Sequence, residues 1–232
     1  MFKFLKDFVS SIKESAAEGV AEFHSEEAIR KNQKIAALQL RNAPLLARLS
    51  NASAFESFAV ALAAPYRQTF CRDLYEARKD GRPAVYLLCS DIPPDEVTTW
   101  KSLLIRDFSV SDAESAQKQF SSMIEILDKF ADDDALALWI VRTSHLAIGS
   151  ASVGYVSTAD ALAWLAPVVT AAVDNFSGWE VYGNAFLRGE SKLQSRNFAG
   201  SLLLANTVKS LLADDLSPWK TLHWSAPSMI RV

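Results

Sequence analysis

The chain has 232 residues, of which 50% are hydrophobic, and this apolar content excludes an intrinsically disordered protein. Lysine and arginine together number 24 against 27 aspartates and glutamates, so no excess of positive charge is available to attract nucleic acid. The sequence contains only eight glycines and eight prolines, which is fewer than the many turns of a β-sandwich need. We therefore predict an all-α protein, mainly helical, with a single compact multi-helix domain.

The N-terminal segment, residues 1–25, is predicted to form an amphipathic helix or appendage. Apolar residues recur between residues 2 and 23 at steps of three and four, which is typical of a helix with one apolar face. Residues 1–30 carry four basic and six acidic side chains, so docking to a partner protein is favoured over binding to an anionic membrane surface. The candidate docking side chains are Phe2, Phe4, Leu5, Phe8 and Ile12.

No secretory signal or membrane span is predicted. Lys6, Asp7 and Lys13 interrupt the apolar residues that a signal peptide would need as a continuous run. No stretch of about 18 consecutive apolar residues follows. We therefore expect a cytoplasmic location.

Residues 26–232 are assigned to the helical domain. Residues 26–50 are predicted to be helical, with an interruption at Pro44, and residues 54–79 to form two helices or one helix kinked at Pro65. The apolar run at 84–89 is either a short strand or a buried helical turn, and at most one or two short strands are expected near it.

The second half contains several helix-start signals. Three carboxylates at 132–134 precede a long apolar run, where they suit the positive end of a helix dipole, although a metal site is the alternative. The other predicted starts are Pro93–Glu96, a capping box at Ser111 and Glu114, Ser157, Ser177–Glu180, and Ser217 with Pro218 at the first helical position.

No catalytic or metal-binding motif is found. His24, His145 and His223 are isolated, and Cys71 and Cys89 do not have the spacing of a zinc site. The sequence contains no nucleophile elbow, P-loop or dinucleotide fingerprint. We therefore predict no catalytic residue, no metal and no cofactor, and enzymatic activity is less expected than binding.

One polar pair stands out in the apolar helix predicted over 135–148. Arg142 and His145 are three residues apart and therefore share a helix face. The arginine either pairs structurally, with a carboxylate or with exposed C-terminal carbonyl groups of another helix, or belongs to an anion-recognising pair in a cleft. The candidate ligand or interface residues are Arg142, His145, Tyr155, Trp179 and Tyr182.

The second half, about residues 100–225, resembles the bacterial family named domain of unknown function 1266. The resemblance depends on short motifs in the same order: Arg142 followed by Gly154-Tyr155-Val156-Ser157, then Trp179, Tyr182, Phe186 and Gly189, then Pro218-Trp219 and Trp224. The chain departs from the family at Trp139, where relatives usually have an aspartate three residues before the arginine. The resemblance implies a helical fold and no particular reaction.

We expect a non-catalytic intracellular protein-interaction domain, such as an immunity, adaptor or regulatory protein, with interbacterial conflict as one setting. The acidic balance, the aromatic residues and the absence of a catalytic signature favour this hypothesis. The alternatives are an enzyme or small-ligand-binding protein around Arg142, His145 and Trp179, and a membrane-associated helper that uses the N-terminal helix. The sequence leaves the partner and the oligomeric state open.

Overall fold

A computed structural model describes residues 26–33, 36–37, 40, 52–70, 97–193, 198–215 and 217–225. The chain divides into two compact units, Met1–Ala43 and Pro44–Val232. In the first unit the described residues are helical and exposed. Several sequence predictions lie outside the described residues: the docking helix with Phe2, Phe4, Leu5, Phe8 and Ile12, the interruption at Pro44, the run at 84–89, the helix start at 93–96, and both cysteines.

The second unit is built from α-helices, and no strand occurs among its described residues, so the all-α prediction is confirmed for them. A 3₁₀ turn, Leu127–Lys129, stands before the longest of the described helices. The helices are α1 (Ala54–Leu62), α2 (Ala64–Phe70), α3 (Val97–Phe108), α4 (Ala113–Ile124), α5 (Asp133–Ser152), α6 (Thr158–Asn175), α7 (Trp179–Ser191), α8 (Phe198–Ala213) and α9 (Pro218–Thr221).

The break near Pro65 separates two helices. Helix α1 ends at Leu62 and α2 begins at Ala64, so Pro65 lies in the first turn of α2. A proline is tolerated there because a backbone N–H in the first turn has no intrahelical acceptor. Of the two alternatives for this segment, the described residues 54–70 therefore show two helices.

Local capping determines where the helices start. Ser157 and Ser217 cap α6 and α9 as predicted, and Asp132 caps α5 by accepting from the backbone N–H of Asp134. The predicted capping box at Ser111 is wrong by one residue. Asp112 is the N-cap of α4, because its carboxylate accepts from Ser115 N–H while the Ser115 hydroxyl accepts from Asp112 N–H.

Helix α5 forms the centre of the second unit. It packs against α1, α2, α3, α4, α6 and α7, and its buried residues are distributed around its whole circumference. A helix that is apolar on every side is stable only when other elements surround it. The same packing brings residues of α2, α3 and α7 to one face of α5, where the candidate site is found.

A second group of buried side chains, the aromatic cluster, joins α1, α7 and α9. It consists of Phe58, Trp179, Tyr182, Trp219 and Trp224, whose neighbouring ring centroids lie 4.6–6.3 Å apart. Trp179 and Trp219 stack at 5.4 Å with an interplanar angle of 14°. The cluster therefore connects the first and last helices of this unit that the structure describes.

Among the described helices, none is both long enough and apolar enough to cross a membrane.

Candidate functional site

The structure distributes the five predicted ligand or interface residues over three places. Arg142 and His145 lie where α5 meets α2 and α3, since their ring and backbone contacts are with residues of those helices. Trp179 and Tyr182 belong to the aromatic cluster. Tyr155 lines a separate cleft. The five residues therefore do not form one pocket.

Trp179 and Tyr182 make the contacts of core residues. The Tyr182 hydroxyl donates to the carbonyl oxygen of Leu62 at 2.9 Å, and the Trp179 indole N–H donates to the carbonyl oxygen of Leu222 at 2.9 Å. Both side chains are buried, and their polar atoms are used to join helices and loops.

Arg142 and His145 belong to a group of ionisable side chains that we call the polar cluster. Helix α2 contributes Tyr66 and Arg67, α5 contributes Arg142 and His145, and α7 contributes Glu190. The Tyr66 hydroxyl donates a hydrogen bond to the Glu190 carboxylate, which joins α2 to α7. Three helices that are distant in sequence therefore meet at this point.

His145 is surrounded by aromatic rings and is 8% exposed. The Tyr66 ring meets the imidazole edge-on with centroids 5.6 Å apart, and the rings of Trp100 and Phe108 lie at 6.3 Å. Trp100 and Phe108 come from α3, so this helix supplies the apolar wall of the site. An imidazole in such surroundings loses most of its hydration.

Each arginine of the polar cluster lies over one of these rings. The guanidinium carbon of Arg67 is 5.2 Å from the Trp100 ring centroid, and that of Arg142 is 5.3 Å from the Phe108 ring centroid. The Nη2 atom of Arg142 also donates to the carbonyl oxygen of Asp107 at 3.3 Å. Arg67 is only 1% exposed, whereas Arg142 and Glu190 are half-buried, so the polar cluster extends from the core to the surface.

Burial, and then the positive charges of Arg67 and Arg142, lower the pKa of His145 to about 3. Burial, and then the charge and hydrogen bond of Glu190, raise the pKa of Tyr66 well above its ordinary value, although Arg142 acts in the opposite direction. Both groups are therefore neutral near pH 7. The imidazole lies in a field that repels protons and would attract an anion.

Sequence reasoning did not find Tyr66, Arg67 or Glu190. Each is separated by more than 40 residues from Arg142, and no motif links them. The available signal was the position of Arg67 directly after an apolar run, since an arginine on a buried helix face needs a specific environment.

Trp139, the residue at which the sequence departs from the resemblance, has a structural role. Trp139 lies one turn before Arg142 on α5, and its indole N–H donates to the carbonyl oxygen of Met123 at 2.9 Å. Its ring also packs against Phe130, with centroids 5.7 Å apart. Trp139 therefore joins α5 to the end of α4.

Metal binding receives no support from the geometry of the described residues. Within them, no three histidine, cysteine, aspartate or glutamate side chains are placed so that they could hold one ion. The carboxylates of Asp132 and Asp134 instead pair with Lys192 at 2.8 and 2.9 Å, and Asp134 also pairs with Arg188 at 2.8 Å. These ion pairs place the positive side chains of Arg188 and Lys192, at the C-terminal end of α7, next to the start of α5.

Comparison with known proteins identifies the family. Residues 14–224 match the family model described as protein of unknown function (DUF1266), and the chain belongs to this family. The match covers most of the chain, whereas the motifs recognised in the sequence begin near residue 100. Neither the curated proteins nor the solved structures contain a significant match.

Proposed function

We propose that this member of the DUF1266 family is a non-catalytic binding protein for a small oxyanion, a carboxylate or a phosphate, held at the polar cluster. The observation that carries the proposal is the placement of Arg67 and Arg142 around one buried, neutral histidine. A guanidinium presents several N–H donors in a planar fork, which matches the geometry of a carboxylate or phosphate.

The charges of the polar cluster support this choice of ligand. Its two arginines carry positive charge, Glu190 carries negative charge, and Tyr66 and His145 are neutral near pH 7. An anion that reaches His145 meets a positive potential in a region of low dielectric, where electrostatic attraction is stronger than in water. The ring faces of Trp100 and Phe108 hold the guanidinium groups in place.

The pKa values favour binding over catalysis. A general acid or base works best when its pKa lies near the working pH. Burial and the two arginines lower the pKa of His145, and burial and Glu190 raise the pKa of Tyr66. Neither pKa therefore lies near 7, so neither group is suited to act as a general acid or base at that pH.

The test is a thermal and calorimetric titration of the full chain with orthophosphate and with succinate. Chloride at equal ionic strength is the reference, because it separates site binding from general salt effects. A ligand at 100 times its dissociation constant stabilises the folded state by about 2.7 kcal/mol. We expect one of the two oxyanions to raise the unfolding temperature well above the chloride value.

The matched variants are R142Q and R106Q. Both remove one positive charge, but Arg106 is exposed and pairs with Asp107 on the surface of α3, with 2.6 Å between its Nε and the carboxylate. We expect R142Q to abolish the oxyanion effect and R106Q to retain it. Equal effects in the two variants, or no oxyanion effect on the wild-type protein, would overturn the proposal.

Protein interaction is the second candidate function, and an exposed apolar surface on α8 favours it. Phe198, Leu202 and Leu203 are 75%, 54% and 44% exposed. Phe198 and Leu202 are one turn apart, so they lie on the same side of the helix. Apolar side chains that are grouped in this way are typical of surfaces that bind another protein. The net charge of −3 favours a basic partner.

A photo-crosslinking amino acid at position 202, compared with one at Lys118 on α4, tests this second candidate in the native host. We expect one protein to be crosslinked from position 202 and to form a stoichiometric complex when both proteins are purified. The variant L202E should lose the complex, and R142Q should keep it, which distinguishes this function from oxyanion binding. A purified complex that tolerates L202E would overturn the assignment to α8.

A further inference from the structure

A cleft of about 710 Å³ lies between the first turn of α4 and the turn that leads into α6. Its lining includes Glu114 from α4, Tyr155 from the turn, and Asp160 and Trp164 from α6. This volume lies within the range that small-molecule sites occupy. The cleft is formed by residues other than those of the polar cluster, so it does not belong to the oxyanion site.

Two aromatic rings form part of the wall of the cleft. Trp164 stacks on Phe120 with centroids 4.8 Å apart and an interplanar angle of 20°, so its ring is held in one orientation. The ammonium group of Lys101 lies 5.3 Å from the Tyr155 ring centroid. One face of the Tyr155 ring therefore already holds a cation, and such faces attract cations through the quadrupole of the ring.

Negative charge is the second feature of the cleft. Glu114 and Asp160 are both exposed lining residues. Burial, and then the charge of Asp112, raise the pKa of Tyr155, so a third carboxylate acts on this ring as the smaller of the two causes. The positive ends of α4 and α6 are capped by Asp112 and Ser157, which accept from the backbone N–H groups of Ser115 and Asp160.

We propose that this cleft binds an organic cation of the alkylammonium class, with its alkyl groups against Trp164 and its charge near Glu114 and Asp160. The combination of aromatic faces with carboxylates is the usual recognition chemistry for such cations. The inference is independent of the proposed oxyanion site.

The experiment is a nuclear magnetic resonance titration of the full chain with choline. The matched probe is 3,3-dimethylbutan-1-ol, which has the same shape without the charge. The indole N–H signal of Trp164, assigned by its absence from the spectrum of W164F, reports on the cleft. We expect choline to shift this signal in a saturable way. The alcohol should need at least a tenfold higher concentration to give the same shift. Equal responses to the two probes, or no response to choline, would overturn the proposal.

Variants that each remove one charged side chain test whether choline binds in this cleft. E114Q should weaken choline binding about two- to fivefold, which is the range for one exposed ion pair. The control is E125Q, since Glu125 is exposed and follows the last residue of α4, at the opposite end from Glu114. K101M removes a competing cation from the Tyr155 ring and should tighten binding.

Retained helical circular dichroism confirms that each variant is folded. If E114Q and E125Q bind choline equally, or if K101M weakens the binding, the cation is not held in this cleft and the proposal fails. Stronger displacement of the Trp164 signal by acetate than by choline would also overturn it, because the capped helix ends would then be the attracting groups.

Discussion

At the scale of single residues, His145 makes stability depend on pH. Burial and two arginines lower its pKa in the folded state to about 3, whereas an unfolded histidine has its ordinary value of about 6.5. Between these values the unfolded chain binds a proton that the folded chain does not bind. The folded state therefore loses stability as the pH falls from about 6.5 towards 3, by about 1.4 kcal/mol per unit from this residue alone.

Urea unfolding at pH 7 and pH 5 measures this effect, with H145N as the comparison. Carboxylates also destabilise the protein as they are protonated, but they do so in both proteins. We expect the wild type to lose about 2 kcal/mol more than H145N between the two pH values. Equal losses would contradict the placement of His145 in a positive, buried environment.

Ser109 is a residue whose backbone conformation suits glycine better. It follows the last residue of α3 with a φ of 58°, and Val110 N–H donates back to the carbonyl oxygen of Leu104 at 3.2 Å. This is the left-handed helix ending that glycine usually supplies. We expect S109G to raise the free energy of unfolding by about 0.5–1 kcal/mol in urea titrations.

The control variant S122G, which changes an exposed serine inside α4, should instead lower the free energy of unfolding. Glycine in a helix interior lowers stability by up to about 1 kcal/mol. If S109G lowers the free energy of unfolding as S122G does, the left-handed conformation of Ser109 does not favour glycine, and the prediction is wrong.

At the scale of elements, Gly189 allows α7 to approach α5. A β-carbon at this position would lie 2.2 Å from the carbonyl oxygen of Asp134, which is backbone and unable to move aside. G189A must therefore separate the two helices and strain the ion pairs of Arg188 and Lys192 with Asp134. We expect thermal and urea unfolding to show a loss of about 3 kcal/mol or more.

Gly178 provides the control. Its φ of 170° is extended backbone, and no atom lies within 4 Å of the position that a β-carbon would take. G178A should therefore change stability by less than about 0.5 kcal/mol. A similar loss in both variants would mean that the contact between α5 and α7 does not limit stability.

Helix starts could be predicted from the sequence, whereas contacts between distant helices could not. The starts at Ser157 and Ser217 were predictable because a capping hydrogen bond joins residues within one turn. The polar cluster was predictable only for Arg142 and His145, which share a helix face. Arg67 and Glu190 reach them through the packing of α2 and α7 on α5, and no short-range pattern encodes that packing.

At the scale of the whole molecule, the motifs that identify the family are mostly architectural. Trp179, Tyr182, Trp219 and Trp224 belong to the aromatic cluster, and Gly189 permits the close approach of α7 to α5. These residues explain why the resemblance predicted the helical fold. The indole N–H groups of Trp179, Trp219 and Trp224 donate to backbone carbonyl oxygens, so these side chains serve the packing of the fold.

Trp219 connects the last described helix of the second unit, α9, to the first, α1, so its loss should affect the stability of the unit. Its indole N–H donates to the carbonyl oxygen of Ala61 at 2.9 Å, and its ring stacks on Trp179. W219F removes a buried hydrogen bond and part of the stacked surface, which together should lower the free energy of unfolding by about 2–3 kcal/mol. W164F changes a half-buried ring on α6 and should lower it by less.

The decisive measurement on W219F is whether near-ultraviolet and far-ultraviolet circular dichroism change together in urea. Coincident transitions are expected because α1, α5 and α7 share one core with the aromatic cluster, and a domain of this kind unfolds cooperatively. If the near-ultraviolet signal is lost at lower urea while the helices persist, the aromatic cluster is a separate stability unit. In that case the helices around α5, which hold the polar cluster, would be stable without the contact between α9 and α1.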